Sequence, residues 1–238
     1  MIKFENVVKR FGRRTVLDDI SFEVVKGEVF VIVGPSGTGK SVALKHMVRL
    51  LSPTSGTVWL NDVAVSRADG LELQQAREQF GYLFQGGALL GWMTVAENVA
   101  LPLEEKTAMS QEEIARRVAE VLEMVGLEDD GDKLPSEISG GMQKRAGLAR
   151  AIVCNPDIVL YDEPTSGLDP VTSRTIDRLI KHLNTTLGVT SIVVTHDLHS
   201  ALSIGHRIAM LHGGKVIEIA PPEEFIKSTH PEVIQFLE

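Results

Sequence analysis

The chain has 238 residues, 43% hydrophobic and 24% charged, which suits one or two globular domains around a sizeable core. Asp and Glu outnumber Lys and Arg by 32 to 24, a net charge of −8, so wrapping of nucleic acid through phosphate neutralisation is disfavoured and no nucleic-acid partner is expected. The single cysteine, Cys154, excludes an intrachain disulfide framework and a multi-cysteine zinc or iron–sulfur site; it reads as a small buried hydrophobe.

The first residues, MIKFENVVKRF, mix charge with apolar residues and show no secretory h-region. Ile2, Phe4 and Val7, then Phe22 and Val24, then Thr57–Leu60, predict short strands. The run Val29–Val33 is continuously apolar and β-branched, the pattern of a strand buried on both faces of a parallel sheet. Ile158–Tyr161 and Ser191–Thr195 repeat it. Residues 79 to 96 carry no charge, but Gly81, Gly86, Gly87 and Gly91 with Gln79 and Gln85 argue for a soluble loop rather than a membrane span. If the protein acts at a membrane, other chains supply the spans.

Helices alternate with these strands. Ser110 and Glu113 have capping-box spacing, Ile114, Val118, Leu122 and Val125 mark one helical face, and Gly126 ends it. Asp169 and Pro170 open a second helix with an apolar stripe from Ile176 to Leu187, closed by Gly188. Buried strands alternating with amphipathic helices predict an α/β fold with a mainly parallel sheet, and residues from 86 to 155 read as a helical insertion.

Chemistry concentrates in a few places. Gly34-Pro35-Ser36-Gly37-Thr38-Gly39-Lys40-Ser41 matches the phosphate-binding loop pattern and lies between the strand 29–33 and a helix-like run from Val42. Its glycines let successive backbone N–H groups curl toward phosphate oxygens, Lys40 supplies charge, and the Ser41 hydroxyl suits magnesium. The strand from Ile158 ends in Asp162 and Glu163. Ligands gather at such strand ends, so Asp162 is assigned to magnesium and Glu163 to the attacking water. Ser139-Gly140-Gly141, 23 residues before Asp162, opens a further helix and offers a second anion-binding start, which suggests two copies pairing head to tail.

Together these segments resemble the ATP-binding subunits of ABC transporters over essentially the whole chain. Ser139-Gly140-Gly141 resembles the signature, with Met142 where many members carry Gln, and Ser166-Gly167-Leu168-Asp169 resembles the D-loop. His196 resembles the switch histidine, Gln85 the Q-loop glutamine, and Phe11 the aromatic that stacks on adenine. The resemblance implies a P-loop nucleoside triphosphatase core with a mainly parallel sheet, an N-terminal antiparallel β subdomain and an inserted α-helical subdomain. Its boundaries within one domain, 1–238, are 1–85 and 156–220 for the nucleotide-binding core, 86–155 for the insertion and 221–238 for a tail.

It also implies ATP and Mg2+ as cofactors. Lys40, Glu163 and His196 act in catalysis. Phe11, Gly34 to Val42, Gln85, Ser139, Gly140, Gly141 and Asp169 bind nucleotide, and Ser41, Gln85 and Asp162 hold the metal. The implied partners are a second copy of the chain and integral membrane permease subunits, at the cytoplasmic face of the inner membrane. Phe84–Leu89, Met93–Leu103, Ser-Gly-Gly-Met and the end from Ser228 look like the Mla-type group, whose ATPases power phospholipid transport with MCE proteins. That group implies an MCE-domain protein and a small STAS-domain subunit as further partners. An amino-acid importer ATPase and a soluble ATPase of iron–sulfur assembly are the alternatives. Leu89, Leu90, Trp92 and Met93 form an apolar cluster that either fills the insertion or receives a permease helix. The tail, with Phe225 and Ile226 expected to face the domain, either packs on its own chain or reaches a neighbouring subunit.

Overall fold

The computed structural model describes residues 1–238. The elements run β1 (Ile2–Phe11), β2 (Arg14–Val24), β3 (Val29–Val33), α1 (Lys40–Met47), β4 (Ser55–Leu60), α2 (Gly70–Glu78) and β5 (Phe80–Leu83). There follow α3 (Val95–Lys106), α4 (Gln111–Met124), a 3₁₀ turn at Pro135–Glu137, α5 (Gly140–Ile152), β6 (Ile158–Asp162), α6 (Pro170–Leu187) and β7 (Thr190–Thr195). The chain finishes with α7 (Leu198–Ile204), β8 (Arg207–His212), β9 (Lys215–Ala220), α8 (Pro222–Phe225) and α9 (Pro231–Leu237).

Two sheets form. The smaller is antiparallel in the order β2-β1-β4. The larger runs β5-β6-β7-β3-β8-β9, parallel except for the β8–β9 hairpin. Gly213 and Gly214, both at positive φ, make the tight turn of that hairpin, a conformation that costs glycine no steric strain.

The apolar runs behave as strands buried on both faces. Along β3, Val29, Val31 and Val33 enter one core while Phe30 and Ile32 enter the other. Strand β6 splits the same way, with Val159 and Tyr161 on one side and Ile158 and Leu160 on the other. One core lies between the two sheets and takes in α1; the second joins the opposite face of the large sheet to the helices α3 to α7. The region from 86 to 155 contains α3, α4 and α5 and no strand.

Local signals set the helix ends. Ser110 and Glu113 form the reciprocal capping box of α4, Asp169 caps α6, and Gly188 ends α6 at φ 65°. The helix after the glycine-rich loop stops at Met47, sooner than the apolar run through Leu51 suggests. Arg49, at φ 50°, then turns the chain toward β4.

The tail packs on its own chain. Phe225 and Val233 are fully buried, and Phe236 and Leu237 lie against the same core. Ile226 does not face the domain as expected but is exposed, because α8 is a single turn and only Phe225 points inward from its end. Of the last apolar residues only Ile234 is turned outward. Packing on its own chain thus takes Phe225 and Val233 fully and Phe236 and Leu237 in part, and leaves Ile234 exposed. Deleting residues 229–238 is expected to lower the melting temperature of the isolated chain, since it uncovers the sheet beneath Val233. Phe225→Ala should cost about 3–5 kcal/mol in denaturant unfolding. An unchanged melting temperature after the deletion would return the tail to the neighbouring-subunit reading.

Candidate functional site

The site lies where β6, β7 and β3 end. Their parallel register pairs Val33 with Thr195 and Asp162 with Val194, so the residues just past each strand emerge at one level. These are Gly34 and its loop, Glu163 and His196.

The loop wraps the start of α1. Gly34 sits at φ 148°, and a Cβ there would fall 2.1 Å from the Leu211 carbonyl oxygen, so no other residue fits. Pro35, Ser36 and Gly37 are exposed at the crest, and the Thr38 hydroxyl donates to the Pro35 carbonyl at 2.9 Å. Gly39 is the N-cap of α1 at φ 103° and no side chain caps the helix. Its first N–H groups and positive dipole end therefore face the loop, ready for an anion. Val42, half-buried, follows in the first turn.

Lys40 folds back over this loop. Its ammonium donates to the Gly34 carbonyl at 2.7 Å and the Pro35 carbonyl at 3.1 Å, and lies 3.7 Å from Glu163 Oε1. Burial pulls its pKa below the usual lysine range, against the opposing pull of the Glu163 carboxylate. Beside it the Ser41 hydroxyl donates to Asp162 Oδ1 at 2.6 Å. A hydroxyl and a carboxylate converging this closely are hard oxygen donors of the kind Mg2+ takes alongside phosphate oxygens. Glu163, buried, accepts a 2.7 Å contact from His196 Nδ1 through Oε2. The structure thus brings Lys40, Ser41, Asp162, Glu163 and His196 into one connected group.

Other residues named from the sequence stand apart from that group. Gln85 is exposed on the loop after β5. Phe11 ends β1 with its ring exposed, and the Lys9 ammonium lies over one face, 4.9 Å from its centroid. Ser139 and Gly140 are exposed at the start of α5, where the Ser139 hydroxyl accepts from Met142 N at 3.3 Å; Gly141 packs so closely on α6 that a Cβ would meet Thr172 at 2.5 Å. Asp169 does the capping expected of it at the start of α6. One carboxylate oxygen accepts from the Val171 and Thr172 amides and the other from the Thr172 hydroxyl, so it caps α6.

Two site residues were not singled out from the sequence. The Tyr82 hydroxyl reaches Asp162 Oδ2 at 3.4 Å, and burial with the nearby carboxylate pushes its pKa up. Lys144, buried on α5, donates to the backbone carbonyls of Glu163 and Gln85. The only signal for Lys144 is a cation on the helix face that also carries Leu148 and Ile152 into the core.

The model of the family described as ABC transporter matches residues 17–166. The chain belongs to the ABC transporter family. It is an ATP-binding cassette and an ATPase. It is 42% identical over 236 residues to a relative from Mycobacterium leprae named a probable ribonucleotide transport ATP-binding protein, mkl, covering 99% of this chain and 68% of that protein. It is 43% identical over 237 residues to the methionine import ATP-binding protein MetN 2 of Salmonella typhimurium, covering 98% and 69%. The cassette thus spans about two thirds of the length of these curated relatives. Its fold matches the ATP-binding cassette MJ0796, solved as a dimer in a post-hydrolysis state with ADP and Pi, with TM-score 0.85, 38% identity and coverage of 93% of this chain and 99% of that one.

Beyond His196 the cassette has a cleft of about 1040 Å³ between the start of α6 and α7. Buried Asp177 faces it, accepting the Ser200 hydroxyl at 2.8 Å through Oδ2 while Oδ1 has no partner. Burial raises the Asp177 pKa above its ordinary 3.8, and nearby Asp197 adds to the rise. For a carboxyl raised on folding, the stabilising contribution is present below the unfolded value and is lost as pH rises through the folded one. Asp177→Asn, which never ionises, should therefore gain melting temperature relative to the parent chain between pH 4 and pH 7. Thermal melts at intervals across that range check it; parallel curves would show that Asp177 carries no such penalty.

Proposed function

We propose that the cassette drives a separate membrane permease by binding and hydrolysing ATP between two copies of itself. The observation that carries this reading is the convergence of Lys40, Ser41, Asp162, Glu163 and His196 at the ends of three parallel strands. The glycine-rich loop amides and Lys40 hold the triphosphate from one side, with Phe11 as the stacking face for adenine. Ser41, Asp162 and Gln85 hold Mg2+, which neutralises charge on the phosphate oxygens when bound. Ser139 and Gly141 of a second, head-to-tail copy close the other side, and a cassette of similar fold solved as a dimer supports the pairing of two copies. Glu163 draws the proton of the attacking water, and His196, hydrogen-bonded to it, orients it and faces the γ-phosphate.

No helix is long and apolar enough to cross a membrane. The permease partner is argued instead from the loop after β5. Buried Asn98 pins this loop, accepting from Leu90 N at 2.7 Å and donating to the carbonyls of Leu90 and Met93 at 3.0 Å. Leu89 packs against the core, while Trp92 stands 79% exposed on the pinned loop. A rigidly presented exposed aromatic suits docking of a short permease helix at the cytoplasmic face of the inner membrane. For the cargo, the segments Phe84–Leu89 and Met93–Leu103 and the end from Ser228 support phospholipid or another hydrophobic substrate, with an MCE-domain protein and a STAS-domain subunit in the complex. An amino-acid importer is the second reading, favoured by the identity with MetN 2 over 98% of the chain.

Glu163→Gln is expected to keep ATP binding, lower hydrolysis by about 10²–10⁴-fold and accumulate an ATP-bound dimer on size-exclusion chromatography. Near-normal turnover would remove Glu163 from this role. Co-purification of a multi-span protein from detergent extract checks the permease, and recovery of soluble scaffold proteins alone would overturn it. Trp92→Ala should weaken that co-purification with little change in melting temperature; full assembly by the variant would leave Trp92 without a docking role.

A further inference from the structure

Glu163 adopts a backbone conformation that its sequence disfavours. Its φ is 50°, the left-handed region, and Pro164 follows, which pushes the preceding residue toward extended geometry. Such a conformation persists only where its surroundings hold it. The Glu163 amide donates to the Val194 carbonyl at 2.9 Å, which anchors it to β7. Its carbonyl accepts from Ser166 N at 3.2 Å and from the Lys144 ammonium at 3.2 Å.

Lys144 is the one holder that comes from the helical insertion. It lies on α5, five residues past Ser139, and is buried. The same ammonium donates to the Gln85 carbonyl, so it spans the loop after β5 and the acid after β6. Two further features clamp α5 to that loop. The Arg150 guanidinium donates to the carbonyls of Gly87 and Ala88, both at 2.8 Å. Gly147 lies so close to it that a Cβ would come within 3.0 Å of the Gly87 carbonyl oxygen. Burial lowers the Lys144 pKa, while the carboxylates of Glu163 and Asp162 pull it the other way.

We infer that Lys144 is a positioning residue for ATP hydrolysis, holding the Glu163 and Gln85 backbones at fixed places relative to each other. Its contacts are to backbone carbonyls, and through that of Glu163 it sets where the Glu163 carboxylate lies against His196. Because Ser139 opens the same helix, displacement of α5 at its signature end moves the group that holds the acid. The inference rests on the reading of Glu163 as the residue that handles the attacking water.

The test uses the purified full chain, with ATP turnover and binding of a non-hydrolysable ATP analogue measured on Lys144→Met, Glu163→Gln and the double variant. Small misplacement of a reacting group costs up to about 10²-fold in rate, so Lys144→Met should lower kcat by about tenfold to a hundredfold. KM and analogue affinity should stay within about twofold, the pattern of an interaction used in the transition state alone. In the Glu163→Gln background, single-turnover hydrolysis should fall little further when Lys144 is also replaced, because the group it positions is already disabled. Should Lys144→Met fail to fold, the same measurements are read on Lys144→Gln, whose shorter, uncharged side chain retains two N–H donors.

A kcat within about threefold of the parent overturns the inference, as does a loss confined to KM or a second loss of equal size in the Glu163→Gln background. Near-normal hydrolysis by Glu163→Gln alone overturns instead the reading on which the inference rests.

Discussion

The site depends on three parallel strands ending level. Strand β7 lies between β6 and β3, and its pairing sets Asp162 against Val194 and Val33 against Thr195. A slip of one residue would turn each strand's side chains to the opposite face, exchanging the two cores and moving Asp162 away from Ser41. Every residue of β3, β6 and β7 is buried, and their two faces pack in two separate cores, so a slip would have to repack both. The hydrogen bond from Ser41 to Asp162 spans this arrangement, joining the helix after β3 to the end of β6 across the strand between them. The geometry of the candidate site is thus a consequence of core packing.

Level strand ends also concentrate charge. Asp162 and Glu163 are buried side by side, and the two buried lysines nearest them, Lys40 and Lys144, come from opposite directions. Each cation donates to backbone carbonyls, and Lys40 also lies 3.7 Å from a Glu163 carboxylate oxygen, which offsets part of the desolvation cost. The two differ in position. Lys40 sits over the phosphate-binding loop, so its carbonyl contacts are the ones a phosphate would exchange. Lys144 comes from α5, and both its contacts are to backbone carbonyls, those of Gln85 and Glu163. The two cations are therefore separated in space around the same two carboxylates.

The helical insertion is linked to this centre through backbone groups. Arg150 and Lys144 both donate to carbonyls of the loop after β5, while Asn98 pins the next stretch of that loop. One loop consequently carries an exposed tryptophan at its outer end and a cation shared with Glu163 at its inner end. The exposed tryptophan and the Glu163 backbone are thus joined through one hydrogen-bonded loop.

By itself the sequence determined the elements whose causes are local. The apolar β-branched runs gave buried strands, Ser110 with Glu113 gave a capping box, Asp169 with Pro170 and Gly188 bounded α6, and the glycine-rich run preceding Lys40 marked an anion-binding helix start. Tertiary structure decided everything that depends on which residues meet across the chain. Lys144 is a cation in a helix like any other until the fold carries it 59 positions back to Gln85 and 19 forward to Glu163. Tyr82 meets Asp162 only because β5 pairs with β6. The tail was ambiguous for the same reason, since apolar spacing at Val233 and Phe236 says that a surface is to be buried and leaves open whose surface covers it. Propensity and periodicity act over a few residues, whereas burial partners and hydrogen bonds between distant segments are set by the register of the whole sheet.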